Sequence, residues 1–154
     1  MQKETIIQQI EQAEKYHRIQ YKKLKNMLAG IETTKPTPLN KEECDFGKWL
    51  YPNSHLLQEL LGTQFYEKLE AIHTQWYAYY LPFYDLYYTK TKGGFFSKEK
   101  IVFHKIDGDA QEKAKNLFQE IEKTTQELLQ HIDVCKKRVY ALQKDHFETL
   151  KNQA

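Results

Sequence analysis

The stretch Glu42-Glu43-Cys44-Asp45-Phe46-Gly47-Lys48-Trp49-Leu50-Tyr51 places a thiol, a glycine and a tryptophan close together in one short segment. The segment 41–51 is predicted to be a helix, because Asn40 is a suitable capping residue at its start and a proline follows it. A glycine inside a helix costs about 1 kcal/mol relative to alanine, so Gly47 indicates that another backbone approaches closely. We therefore expect the Cys44 thiol to be buried among neighbouring helices, as a functional group or as a small core residue.

Composition predicts a single helical domain over residues 1–154. Charged residues make up 29% of the chain and aromatic residues 14%, whereas there are only six glycines and four prolines. A chain of this length buries a sufficient core without disulfides or a structural metal, so a bound metal would serve function. The net charge is only +2, and no basic block or zinc-finger spacing predicts nucleic-acid binding.

No stretch predicts a membrane segment or a secretion signal. The aromatic run 76–88 is too short and too polar to span a bilayer, and the amino terminus has the pattern of a charged helix. Cys44 and Cys135 lie far apart in such a chain, so both are expected to be reduced thiols rather than a disulfide. We therefore expect a cytoplasmic protein with no membrane partner, in which Cys44 can serve as a metal ligand or redox group.

Apolar residues spaced by three and four between Lys3 and Ile31 predict a first long helix. Gly30 is predicted to end this helix. His17 fills the one gap in this series, so an imidazole is predicted to face the core. A half-buried histidine hydrogen-bonded to a neighbour is the alternative. The apolar positions of the series are Ile6, Ile10, Ala13, Tyr21, Leu24, Leu28 and Ile31.

A second long helix is predicted from residue 63 to about 89, after an extended connection at 32–39 and a short helix at 54–61. His73 occupies an inward position of this helix, and Tyr77 lies one turn further along the same face. The inward positions are Tyr66, Leu69, His73, Trp76, Tyr80 and Phe83.

The carboxy-terminal part is predicted to contain a loop or small hairpin at 90–109 and then one long helix from Ala110 to about Lys151. His131 and Cys135 are four residues apart in this helix and could bind a metal from one face, although a core cysteine beside a surface histidine is the alternative. The inward positions are Ala114, Leu117, Ile121, Thr124, Leu128, Ile132, Cys135, Val139 and Leu142.

Together these elements predict an all-α fold, an antiparallel four-helix bundle with a short extra helix and an irregular insertion between the last two long helices. His17, Cys44 and His73 each come from a different predicted helix, and bundle cores are where such side chains meet in metal sites. Nitrogen and sulfur donors of this kind suit zinc.

Residues 44–51, Cys-Asp-Phe-Gly-Lys-Trp-Leu-Tyr, resemble the Cys-x-(Phe/Leu)-Gly-x-Trp-(Leu/Tyr) signature of the bacterial chemoreceptor zinc-binding (CZB) domains. That family has a histidine before the cysteine and a His-x-x-x-His pair after it, and His17 and His73 match the first histidine and the first member of the pair. Residues 107–114 also resemble the start of the family's last helix. The resemblance implies a homodimeric helical bundle that binds zinc through three His and one Cys, with residues 78–106 as an insertion.

The resemblance also implies a role in regulating a chemoreceptor or a diguanylate cyclase, in some members through oxidation of the zinc-bound thiolate. Tyr77 stands where the family has the second histidine of its pair. A neutral phenol is a poor zinc ligand, and zinc must lower a pKa of about 10 to bind it. The fourth position therefore falls to Tyr77, to water, or to His131 or Cys135.

We interpret the chain as a zinc-binding regulatory domain rather than an enzyme, sensing zinc or an oxidant and signalling to a partner in trans. If zinc is the stimulus, its binding changes how the helices pack. If an oxidant is the stimulus, conversion of Cys44 to a sulfenic acid weakens metal binding. The alternative is a metal-free interaction bundle with a degenerate zinc site, in which the aromatic segment 76–96 contacts a partner.

Overall fold

The computed structural model describes residues 3–33, 35–91 and 99–142. The predicted all-α class is confirmed, and the predicted small hairpin is present as an antiparallel pair of strands with Tyr88 opposite Phe103. The last helix was predicted to continue to about Lys151, but it ends at Ala141, because the backbone of Leu142 is extended; Lys151 itself lies outside the described residues. The elements are α1 (Lys3–Leu28), α2 (Asp45–Leu50), α3 (Ser54–Leu61), α4 (Thr63–Tyr87), β1 (Tyr88–Thr91), β2 (Lys100–Phe103) and α5 (Gly108–Ala141).

Helix α5 packs against both α1 and α4, and it runs antiparallel to each of them. Near the start of α1, the Lys3 ammonium donates to the carbonyl of Tyr140 at 2.6 Å, whereas further along α1 the Tyr21 hydroxyl donates to Glu122 at 2.8 Å. The short helix α2 packs on α1, and α3 packs on α4 and α5. The two short helices therefore complete a bundle whose other members are the three long helices.

Helix α4 contributes much of the core, and all of its predicted inward positions are buried. The Trp76 indole donates to the Thr125 hydroxyl of α5 at 2.9 Å, and the Arg138 guanidinium lies 4.3 Å from the centre of the Phe65 ring. These contacts join α4 to α5 at two positions along the helix axes. The helix continues through Pro82 to Tyr87 before the chain enters β1.

The inward face of α1 agrees with the prediction through His17 and again at Leu24, and it departs from the prediction at three later positions. Gln20 and Met27 are buried where Tyr21 and Leu28 were predicted, and Ile31 lies beyond the end of the helix with 55% of its surface exposed. Gln20 can take a core position because its side-chain oxygen accepts a hydrogen bond from the buried Thr37 hydroxyl. Apolar spacing alone could not find a polar core residue whose partner comes from a connecting segment.

None of the helices in the described part of the chain combines the length and the apolar character that a bilayer crossing requires.

Candidate metal centre

Cys44 is positioned by the start of α2, which begins later than predicted. The helix starts at Asp45, and Cys44 is its capping residue, with Sγ accepting the Gly47 N–H at 3.2 Å. Asn40 caps a preceding turn instead, since its side-chain oxygen accepts the Glu42 N–H at 2.9 Å. The thiol is thus held by the backbone on both sides, because Sγ also donates to the Lys41 carbonyl at 3.3 Å.

Gly47 allows this turn to close. A Cβ atom at this position would lie 1.9 Å from the Lys41 carbonyl oxygen, far inside van der Waals contact. The close backbone approach predicted for Gly47 is therefore confirmed. The approaching backbone belongs to the turn just before Cys44 rather than to another helix, so Gly47 shapes the thiol's own surroundings.

Cys44 and His73 meet in the core. Their Sγ and Nε2 atoms are 3.4 Å apart, and the two residues are 1% and 0% exposed. A tetrahedral zinc ion with bonds of about 2.3 Å to sulfur and about 2.0 Å to nitrogen would hold its two donors about 3.5 Å apart. The observed distance therefore matches the separation of two ligands of one ion.

The other nitrogen of His73 has a separate partner. The Tyr51 hydroxyl lies 3.2 Å from Nδ1 of His73. Metal-binding histidines commonly use their second nitrogen in this way, because the contact fixes the ring orientation and the tautomer. Tyr51 is the last residue of the signature segment, but helical spacing gave no sign of this role.

His17 lies beside this pair, and neither of its ring nitrogens has a hydrogen-bond partner although the side chain is only 2% exposed. Its ring centre is 6.0 Å from that of His73, where two imidazoles on one tetrahedral ion would be roughly 5 Å apart. The Phe46 ring packs against both imidazoles, at 4.7 and 4.8 Å between ring centres. An imidazole buried without a partner is unusual, and an ion is one of its common explanations.

Both imidazoles are electrically neutral in this environment. Burial, with a smaller effect from the Lys41 ammonium, lowers the pKa of His73 to about 3. Burial and the neighbouring His73 lower the pKa of His17 well below its ordinary value. Neutral imidazole is the form that binds a metal, so no proton has to leave either histidine near pH 7.

Tyr77 is adjacent to the site, and its hydroxyl lies near both the Cys44 side chain and the Pro38 carbonyl. The hydroxyl donates to the Pro38 carbonyl at 2.9 Å, while the ring packs edge-on against His73 with 5.3 Å between ring centres. Burial raises the pKa of Tyr77, and the nearby Cys44 raises it further, so the side chain is a neutral phenol.

The two other predicted candidates for the fourth position lie elsewhere on the bundle. The His131 ring packs against Phe65, 5.7 Å away between ring centres, and Nδ1 lies 3.2 Å from the Glu127 carbonyl. Phe65 precedes His73 by eight residues of α4, about 12 Å along the helix axis. Cys135 is buried one turn beyond His131.

The donor set suits zinc, although its members are not all at ligand spacing. Within residues 3–33, 35–91 and 99–142, no group of three or more His, Cys, Asp and Glu side chains is already arranged around one point. Two of the three predicted donors, from Cys44 and His73, are at ligand spacing, and the imidazole of His17 borders them with both nitrogens unused. A shift of about 1 Å between the imidazoles would bring their ring centres to the spacing that one ion requires.

The family resemblance is confirmed by comparison with known families. The sequence profile of the chemoreceptor zinc-binding domain matches residues 17–78, from the first predicted ligand to just past Tyr77. The matched segment contains α2, α3 and the first part of α4. No curated protein and no solved structure matches the chain.

Proposed function

We propose that this chain is a zinc-binding regulatory domain in which His17, Cys44 and His73 hold the ion. The observation that carries the proposal is the cluster itself, with Sγ of Cys44 3.4 Å from Nε2 of His73 and two unpartnered nitrogens on His17. The match of residues 17–78 to a chemoreceptor zinc-binding domain supports zinc as the metal.

The three donors come from separate elements, namely α1, the residue capping α2, and α4. When bound, zinc would link these elements and contribute the free energy of three coordinate bonds to their packing. The chain's own residues prepare the site: Tyr51 orients His73, and the Gly47 N–H holds the sulfur.

Trp76 connects the site to α5. The Trp76 ring lies 6.1 Å from that of His17, and its indole N–H donates to Thr125 of α5. A displacement of His17 would therefore shift Trp76, whose hydrogen bond to Thr125 connects it to α5. Helix α5 packs along both α1 and α4. We propose that metal binding or oxidation of Cys44 alters this packing and that the altered bundle, as a homodimer, signals to a partner in trans without catalysing a reaction.

Metal analysis of protein purified without a metal-affinity tag tests the proposal. We expect about one zinc per chain in the wild type and a loss of at least tenfold in zinc affinity for Cys44→Ser and for His73→Ala, because a ligand is removed. His131→Ala is the matched control and should retain zinc, since its ring contacts Phe65 rather than the cluster.

A wild-type metal content near zero, unchanged in Cys44→Ser and not restored by added zinc, would contradict the proposal. The metal-free interaction bundle would then be the better description of this chain.

A further inference from the structure

Two tyrosine side chains lie beside the Cys44 sulfur, one from α1 and one from α4. Both hydroxyls lie near the Cys44 side chain, and the Tyr16 hydroxyl also lies near the Asp45 backbone N–H. The Tyr77 hydroxyl donates its one proton to the Pro38 carbonyl at 2.9 Å. The Tyr16 hydroxyl is buried and has no hydrogen-bond partner among the described residues. The donor that is still unused beside the sulfur is therefore Tyr16.

The position of Tyr16 follows from that of its neighbour in α1. Tyr16 directly precedes His17, and the two rings pack edge to face with 5.5 Å between their centres. The helix that brings the His17 imidazole to the cluster thus also brings the Tyr16 hydroxyl to Cys44. A buried hydroxyl without a partner costs about 1–3 kcal/mol, a cost that a phenylalanine at this position would not have. The hydroxyl therefore requires an explanation other than packing.

A metal-bound sulfur needs hydrogen-bond donors in this site. Cys44 must be a thiolate to bind zinc, and its side chain is 1% exposed, so water cannot stabilise the charge. The Gly47 N–H supplies one hydrogen bond to the sulfur, at 3.2 Å. The Lys41 carbonyl, to which the thiol donates at 3.3 Å, cannot supply another, because it is an acceptor. A second donor from a neighbouring side chain would complete the surroundings of the thiolate.

We propose that Tyr16 is a positioning residue whose hydroxyl donates a hydrogen bond to the metal-bound sulfur of Cys44. This inference rests on the zinc site proposed above. The donor is a neutral phenol, so the role requires no ionisation of Tyr16. The residue lies just before the segment 17–78 that matches the zinc-binding family, and it lies outside the signature at 44–51.

The hydrogen bond would set the balance between the two stimuli of the proposed sensor. Hydrogen peroxide oxidises a thiolate when the sulfur attacks one peroxide oxygen, so that an S–O bond forms and the O–O bond breaks. The sulfur loses two electrons to the peroxide and becomes a sulfenic acid, and the hydroxide that leaves takes a proton from the buffer. A hydrogen bond withdraws charge from the sulfur and slows this attack. Tyr16 would thus favour retention of zinc over oxidation of Cys44.

Cobalt in place of zinc reports on the sulfur directly, because a thiolate bound to cobalt gives a charge-transfer band in the near ultraviolet. A hydrogen bond to the sulfur lowers the energy of its lone pairs and moves this band to shorter wavelength. Tyr16→Phe keeps the ring and should shift the band to longer wavelength. The same variant should lose roughly tenfold in zinc affinity and release zinc severalfold faster in hydrogen peroxide.

Two further variants remove a tyrosine hydroxyl without touching the sulfur. Tyr21→Phe, in the same helix, loses only a hydrogen bond to Glu122 at 2.8 Å, so its band and zinc affinity should match the wild type. Tyr51→Phe removes the hydroxyl beside Nδ1 of His73. It should weaken zinc binding without moving the sulfur band, which separates an effect on the sulfur from a general loss of site geometry.

Two results would overturn the inference while leaving the proposed zinc site intact. One is a charge-transfer band in Tyr16→Phe at the wild-type wavelength. The other is a shift in Tyr77→Phe but not in Tyr16→Phe, which would make Tyr77 the donor to the sulfur. Failure of the wild type to bind either metal would overturn the proposed function and this inference together.

Discussion

Gly47 occupies a position that a residue with a side chain cannot fill unless the turn around Cys44 moves. We predict that Gly47→Ala lowers the free energy of unfolding by about 2 kcal/mol and weakens zinc binding, because the new Cβ would overlap the Lys41 carbonyl oxygen at 1.9 Å. Urea unfolding and zinc titration measure the two effects.

Gly62→Ala is the matched control for this prediction. A Cβ at Gly62 meets nothing within 4 Å, but the backbone there has φ +90° and ψ 146°, so alanine should cost roughly 1–3 kcal/mol from backbone strain alone. Zinc affinity should be unchanged in this variant. Equal losses of zinc affinity in both variants would show that Gly47 acts only through overall stability.

Individual residues of the site were predictable to different degrees. His17 and His73 interrupt apolar series at helical spacing, and both are buried, so the periodicity of the sequence was sufficient to find them. The contact of Tyr51 with His73 was not predictable, because it joins the end of α2 to α4 across the core. The capping role of Cys44 was missed because Asn40, a stronger capping residue by type, precedes it.

Among the elements, α5 carries a thiol whose reactivity the structure determines. Cys135 is 1% exposed, and burial raises the pKa of its thiol to about 12, an effect that the Arg138 guanidinium opposes only in part. Because the thiolate is the reactive form, we predict that Cys135 is not alkylated by iodoacetamide at pH 8 in the folded protein and is alkylated rapidly in urea. Mass spectrometry of the Cys135 peptide measures the rate.

The alkylation experiment also tests how firmly α5 is packed in the bundle. Labelling of Cys135 in the folded protein at the rate seen in urea would mean that α5 detaches readily from the bundle. Val134→Ala is a suitable control, since Val134 is 40% exposed and its truncation should leave the labelling rate unchanged.

The elements themselves were predictable wherever a long apolar series exists, as in α4 and α5. The departures occur where polar groups decide the structure. In α1 the core position at Gln20 depends on Thr37, and the start of α2 depends on the Cys44 sulfur. Both are contacts between a helix and the connection at 31–44, and such contacts have no periodic signal in a sequence.

At the scale of the whole molecule, the proposed ligands lie on α1, α4 and the start of α2, so metal binding should stabilise the bundle as a unit. Free zinc at about 100 times its dissociation constant would add about 2.7 kcal/mol to the free energy of unfolding. For a domain of this size, that is an increase of about 5–10 °C in melting temperature.

We predict that a strong chelator removes this increase in the wild type and has no effect on Cys44→Ser, whose melting temperature should match that of the chelated wild type. Calorimetry of both proteins with and without zinc measures the difference, and light scattering on the same samples tests whether the proposed homodimer forms and whether it depends on the metal. An identical melting temperature of the wild type with zinc and with chelator would mean that the helices reach their packing without an ion, and the site would then have no structural means of signalling its occupancy.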